Sequence, residues 1–140
     1  MIKIAFIACS KTKKGYPTEA RKLYQGALFK KALAYTEQHF DQVYILSALY
    51  GVVELTQVIK PYERTLDTMP AQERKEWAVK VKTQLKEKGL LKNELWFFTG
   101  RKYHEHFEGN KPLEGLSCGR FGRQLQWFNQ KLKQQKNNLL

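Results

Sequence analysis

Acidic residues are scarce in this chain of 140 residues: 13 Asp and Glu stand against 25 Lys and Arg, giving a formal charge of +12 and a pI near 9.7. That imbalance favours polyanionic partners through counterion release, although it carries no sequence specificity by itself. Cysteine is scarce too. Cys9 and Cys118 do not make a disulfide framework. No apolar stretch approaches the roughly 20 residues a membrane helix needs, so no membrane partner is expected. No signal peptide precedes the apolar run that begins at Ile2, and a cytoplasmic location is expected. Also missing are a Walker loop, a G-x-G-x-x-G turn, a zinc-ligand spacing and an H-E-x-x-H pair. Triphosphate hydrolysis, dinucleotide binding and metalloprotease chemistry are therefore disfavoured, and neither cofactor nor metal is expected.

What the chain does have is three short apolar runs, each followed by polar chemistry. Residues 2–8 are interrupted only by Lys3, as suits a central strand covered on both faces. Residues 43–46 and 94–99 read the same way, the last with Leu95, Trp96, Phe97 and Phe98 serving both faces. Between the first two runs, residues 26–40 have a helical pattern with Leu28, Ala32 and Phe40 on one side and Phe29 and Leu33 beside them. A right-handed parallel crossover follows from that order. A second helix is marked over residues 70–88: Thr68 or Met69 caps it, Pro70 takes the first helical position and Gly89 ends it. Trp77, Ala78, Val81 and Leu85 face the core, and the other positions read as a solvated face. A third helix, from residue 120 to about residue 133, carries Phe121, Leu125, Phe128 and Leu132 as its core stripe. The expected fold is α/β: one three-layer domain over residues 1–133, with a small, mainly parallel sheet and helices on both faces. Residues 134–140 are expected to be a flexible tail.

Open α/β sheets bind ligands beyond the carboxyl ends of their strands. Here those ends carry Cys9, Ser10, Lys11, Thr12, Lys13 and Lys14 after the first run, and Thr99, Gly100, Arg101 and Tyr103 after the third. The second run is followed by Ser47, Tyr50 and Gly51, then by Pro61, Tyr62, Glu63 and Thr65. Parallel strands would gather these residues, with Tyr24, at one basic, hydroxyl-rich mouth. Residues 50–69 read as one long functional loop, held extended near Pro61. On the last helix, Arg120, Arg123, Trp127 and Lys131 form a second stripe which, with Lys14, suits phosphates and stacked bases. His104 and His106 stand two apart, so they share no helix face, and they read as surface histidines.

These blocks carry a resemblance. C-S-K-T-K after the first strand, L-Y-x-G-x-x-F from Leu23, L-S-A-L-Y-G-V-V from Leu46, I-x-P-Y-E-x-T-L from Ile59 and the late Q-L-Q-W resemble a compact bacterial and phage family of unknown function. The middle two also resemble a segment of the YaaA peroxide-stress proteins, which bind DNA. The opening is similar to the uracil-DNA glycosylase-like domain of archaeosine synthases. These resemblances imply an α/β fold and action on nucleic acid.

Three functions fit. The chain takes a base or nucleotide from nucleic acid into the strand-end mouth and cleaves or exchanges an N-glycosidic bond, with Glu63 as the only carboxylate in the motif blocks. It binds nucleic acid without chemistry. Or it is a small enzyme acting on a nucleotide or phosphorylated metabolite, using Ser10, Lys11, Lys13 and Arg101 as an anion site or Cys9 as nucleophile.

Overall fold

A computed structural model describes residues 2–107 and 128–134. The apolar runs form strands as expected: β1 spans Lys3–Ala8, and a two-residue strand β2 (Thr18–Glu19) leads into the short helix α1 (Ala20–Leu23). The crossover helix α2 is Ala27–His39. It is followed by β3 (Gln42–Ser47), β4 (Gly51–Glu54), β5 (Val58–Ile59), a 3₁₀ turn at Leu66–Thr68, α3 (Ala71–Glu87), β6 (Glu94–Phe98) and the single turn α4 (Arg101–His104).

The main sheet has the order β4-β3-β1-β6. β1 pairs in parallel with β3 on one side, Phe6 opposite Tyr44, and with β6 on the other, Phe6 opposite Phe97. Among the described strands of this sheet, only β4 runs antiparallel, against β3. Because β1 is central, Ile4, Ala5, Phe6 and Ile7 are all fully buried. Alternation then sorts them by face. Ile4 and Phe6 pack with Trp77, Ala78, Val81 and Leu85 of α3, while Ala5 and Ile7 pack with Phe29 and Ala32 of α2. Residues 128–134 are helical, and Phe128 joins the α2 face beside Phe98 and Tyr35. The three-layer α/β arrangement is thus the observed one.

Several expectations need correction. The stretch after Tyr50 is not one loop: β4 returns along β3 as a tight hairpin, and β5 pairs with β2 in a separate two-stranded sheet. Gly51 sits at φ +78°, and a Cβ there would collide with the Gln84 side-chain oxygen. That oxygen accepts the Val52 amide at 2.8 Å, and the Gln84 amide donates to the Tyr50 carbonyl at 3.0 Å, so this polar position of α3 pins the hairpin. On α2 the buried positions are Phe29, Ala32 and Thr36, with Leu28, Leu33 and Phe40 half-buried. Thr36 tolerates burial because its hydroxyl donates to the Ala32 carbonyl at 2.7 Å. α3 begins one residue late: Pro70 is the extended N-cap, and the Thr68 hydroxyl donates to the Thr65 carbonyl instead of capping. Gly89, at φ +69°, does end that helix. The helical residues 128–134 include Gln134, and residues 135–140, the rest of the expected tail, lie outside the described residues.

Candidate functional site

Beyond β1 the chain turns sharply and doubles back along residues 23–26. Cys9 extends the ladder by one bond, its amide donating to the Leu46 carbonyl at 3.1 Å. The Ser10 hydroxyl then accepts the Gly26 amide at 3.0 Å, the Gln25 amide donates to the Thr12 carbonyl at 2.8 Å, and the Lys14 amide donates to the Leu23 carbonyl at 2.9 Å. A Cβ at Gly26 would strike the Ser10 hydroxyl, which explains the glycine at this close approach. Ser10 therefore fixes where α2 starts.

On the β6 side of β1, the two strand ends and the first turn of α2 enclose a cavity of about 360 Å³. Phe29, Ala32 and Phe98 line its apolar part; Ser10, Lys11, Thr12, Thr99 and Gly100 contribute polar groups, and Cys9 lines it as well. The position follows from topology. From β1 the chain leaves through α2 to β3 on one side, whereas β6, on the other side, is reached through α3. Neighbouring strands whose connections diverge leave a crevice between their carboxyl ends. α2 enters that crevice without a side-chain cap and without an acidic residue in its first turn. Its leading amides, with their partial positive charge, are suited to an anion.

On the β3 side the strand ends are filled. The buried Ser47 hydroxyl accepts the Leu49 and Tyr50 amides at 3.2 and 3.0 Å and donates to the Tyr62 phenol at 2.7 Å. Tyr62 in turn meets the Tyr24 phenol at 2.6 Å. Tyr24 is 1% exposed, and Tyr50 packs edge-on against Tyr62 with centroids 5.5 Å apart. Lys13 lies over this cluster, its ammonium 4.4 Å from the Tyr62 ring centre and donating to the Lys11 carbonyl at 3.3 Å. Burial lowers its pKa from the usual lysine value, against the opposing fields of Cys9 and Glu63. Burial also pushes the Tyr24, Tyr62 and Tyr103 phenols well above the usual tyrosine range, so all three remain protonated donors. The Trp77 indole donates to the Ser47 carbonyl at 2.9 Å, fastening α3 beneath the same turn.

The expected single mouth is thus two neighbouring places with Cys9 between them. The structure brings Cys9, Ser10, Lys11, Thr99 and Gly100 to the cavity. It brings Lys13, Tyr24, Ser47, Tyr50 and Tyr62 to the closed cluster, with Gly51 in the adjoining hairpin and Pro61 half-buried before Tyr62. Cys9 reaches Tyr103, its sulfur 3.3 Å from the phenolic oxygen. Glu63 is exposed and does not line the cavity, and its neighbour Arg64 pairs with Glu73 at 3.6 Å. Arg101 is exposed at the start of α4, also off the cavity lining. The Lys14 ammonium is 5.7 Å from the Tyr16 ring centre, and Lys131 is half-buried. Arg120, Arg123 and Trp127 lie outside the described residues. Among the described residues no group of three or more His, Cys, Asp or Glu side chains is arranged to hold a metal ion.

His104 departs from its reading as a surface histidine. It is half-buried, and its Nδ1 lies 3.0 Å from the hydroxyl oxygen of Thr99, itself only 2% exposed. Burial lowers the imidazole pKa below 6.5, while backbone hydrogen bonding at Gly100 and Thr99 and the charge of Glu105 oppose the shift. The polar residue five positions earlier was the available signal, because the i, i+4 spacing from Gly100 lets the ring of α4 fold back onto the strand end.

No curated protein and no solved structure matches this sequence. Residues 4–130 match the model of a family of unknown function (DUF6884), and the chain is a member of that family.

Proposed function

We propose that the protein binds nucleic acid, seating a phosphate at the first turn of α2 and a base or nucleotide in the adjoining cavity. The observation that carries this reading is the cavity's position, at the divergence of β1 and β6 and over the uncapped start of α2, with Lys11 at its edge. Helix starts of this kind suit phosphate, and a volume of about 360 Å³ lies within the usual span for small-ligand sites. The net charge of +12 supports a polyanionic partner, and Arg120, Arg123 and Lys131 are assigned to the longer strand. The resemblance of the Leu46 and Pro61 blocks to DNA-binding YaaA proteins points the same way.

Binding has more support than N-glycosidic cleavage or exchange. Glu63, the expected acid, is off the cavity lining, and the Tyr24 ring has no free face for an extruded base. The test is tryptophan fluorescence titration with short oligonucleotides and with mononucleotides across a salt series. Affinity for oligonucleotides should fall steeply with salt, and Ala27→Glu, which sets a carboxylate at the helix start, should abolish it in a folded protein. Tight binding of a mononucleotide alone would favour a metabolite enzyme, and absence of all binding would end the reading.

A further inference from the structure

We infer that His104 is a positioning residue for the cavity: through Thr99 it decides whether the wall presents a hydroxyl proton or a lone pair to a ligand, making anion binding proton-linked. The inference rests on the proposed nucleotide site and deepens it. Thr99 lines the cavity at the end of β6, and at 2% exposure its hydroxyl has few other places to turn. The direction of its contact with His104 Nδ1, at 3.0 Å, is set by the tautomer and charge of the ring. A neutral imidazole accepting at Nδ1 takes the Thr99 proton, which leaves oxygen lone pairs toward the cavity. An imidazolium has no acceptor at Nδ1 and must donate there. Thr99 then accepts from the ring, and its own proton is released toward a phosphate oxygen. The second state also places a positive charge behind the wall, so a bound anion favours it twice over.

The other charges around His104 do not supply this switch. Glu105 and Arg101 act on it from its own turn with opposite sign. Glu105 is held by Arg74 of α3 at 3.2 Å and approached by His106 at 3.4 Å. Lys102 donates to the Asp67 carbonyl at 3.0 Å, and the Asp67 charge acts on Tyr103. Of the groups around this wall, His104 is the one that faces Thr99, and its imidazole is the ring whose gain of a proton reverses the contact.

The experiment is the affinity of the full chain for a short oligothymidylate between about pH 5 and about pH 8, where neither its bases nor its phosphodiesters titrate. Wild type should bind about tenfold more tightly at the acid end, the equivalent of the bound anion raising the His104 pKa by about one unit. His104→Asn keeps an amide in place of the ring edge but cannot titrate, and its profile should be flat; Thr99→Val keeps shape and should be flat and weaker. In wild type, the His104 ring signal followed by NMR should titrate at higher pH with oligothymidylate than without, a readout independent of whether either variant folds. An unshifted His104 titration, or the same pH profile in wild type and His104→Asn, overturns this inference and leaves the binding reading standing. No binding of oligothymidylate at any pH overturns both.

Discussion

The two sides of β1 end alike in sequence and differently in space. Toward β3, the motif residues turn inward and saturate one another: Ser47, Tyr62 and Tyr24 form a continuous hydroxyl chain with contacts of 2.7 and 2.6 Å, roofed by Lys13. Toward β6, the residues stop short and leave a cavity of about 360 Å³. A dense cluster of polar and aromatic motif residues is therefore not by itself a binding site. Here the cluster is a latch that holds the Cys9 to Lys14 turn, and the less conspicuous residues around it, Ala27, Ala32 and Gly100, frame the opening.

The contrast makes graded predictions. Ser47→Ala should have the largest effect on stability, roughly 2 to 4 kcal/mol by chemical denaturation, because the Leu49 and Tyr50 amides and the Tyr62 phenol all lose a buried partner. The folded fraction should keep its oligonucleotide affinity; lost affinity in folded protein would make the latch part of the site. Gly51→Ala should cost about 1 to 3 kcal/mol, from the positive φ and the collision with Gln84, again measured by denaturation. Ala27→Glu inverts the pattern. It should leave stability unchanged or raise it by about 0.3 to 1 kcal/mol while removing binding, a separation that no latch variant should reproduce.

The smallest effect concerns pH. His104 has a folded pKa below its ordinary 6.5 because of burial, so the unfolded chain binds a proton more readily through that interval. Its contribution to stability is complete above 6.5 and declines as pH falls through the lowered value. Wild type should lose slightly more stability than His104→Asn on acidification, and equal slopes in the two melting series would contradict the placement of the ring.

The sheet was legible because β1, β3 and β6 are buried on both faces, so their runs are apolar throughout and need no partner to be recognised. α2 and α3 were legible from period and from Gly89. The hairpin was not: Val52 and Val53 are too few to mark a strand, and the decisive contact comes from Gln84, a polar residue 33 positions after Gly51 that pattern reading assigns to solvent. The split between cavity and latch was hidden for a different reason. Strand-end residues announce an edge of the sheet, but which side of β1 they turn toward depends on packing against α2 and α3. His104 was lost to a spacing argument about metal ligands, which does not address a hydrogen bond back to its own strand end.

The most direct test of the central claim, that the β6 side binds and the β3 side holds, is amide chemical-shift mapping of the full chain titrated with oligothymidylate at low salt. The account predicts saturable shifts centred on Ser10, Lys11, Ala27, Thr99 and Gly100, with Ser47 and Tyr62 nearly still. Shifts centred instead on Tyr50, Tyr62 and Glu63, with the cavity residues unmoved, would contradict it.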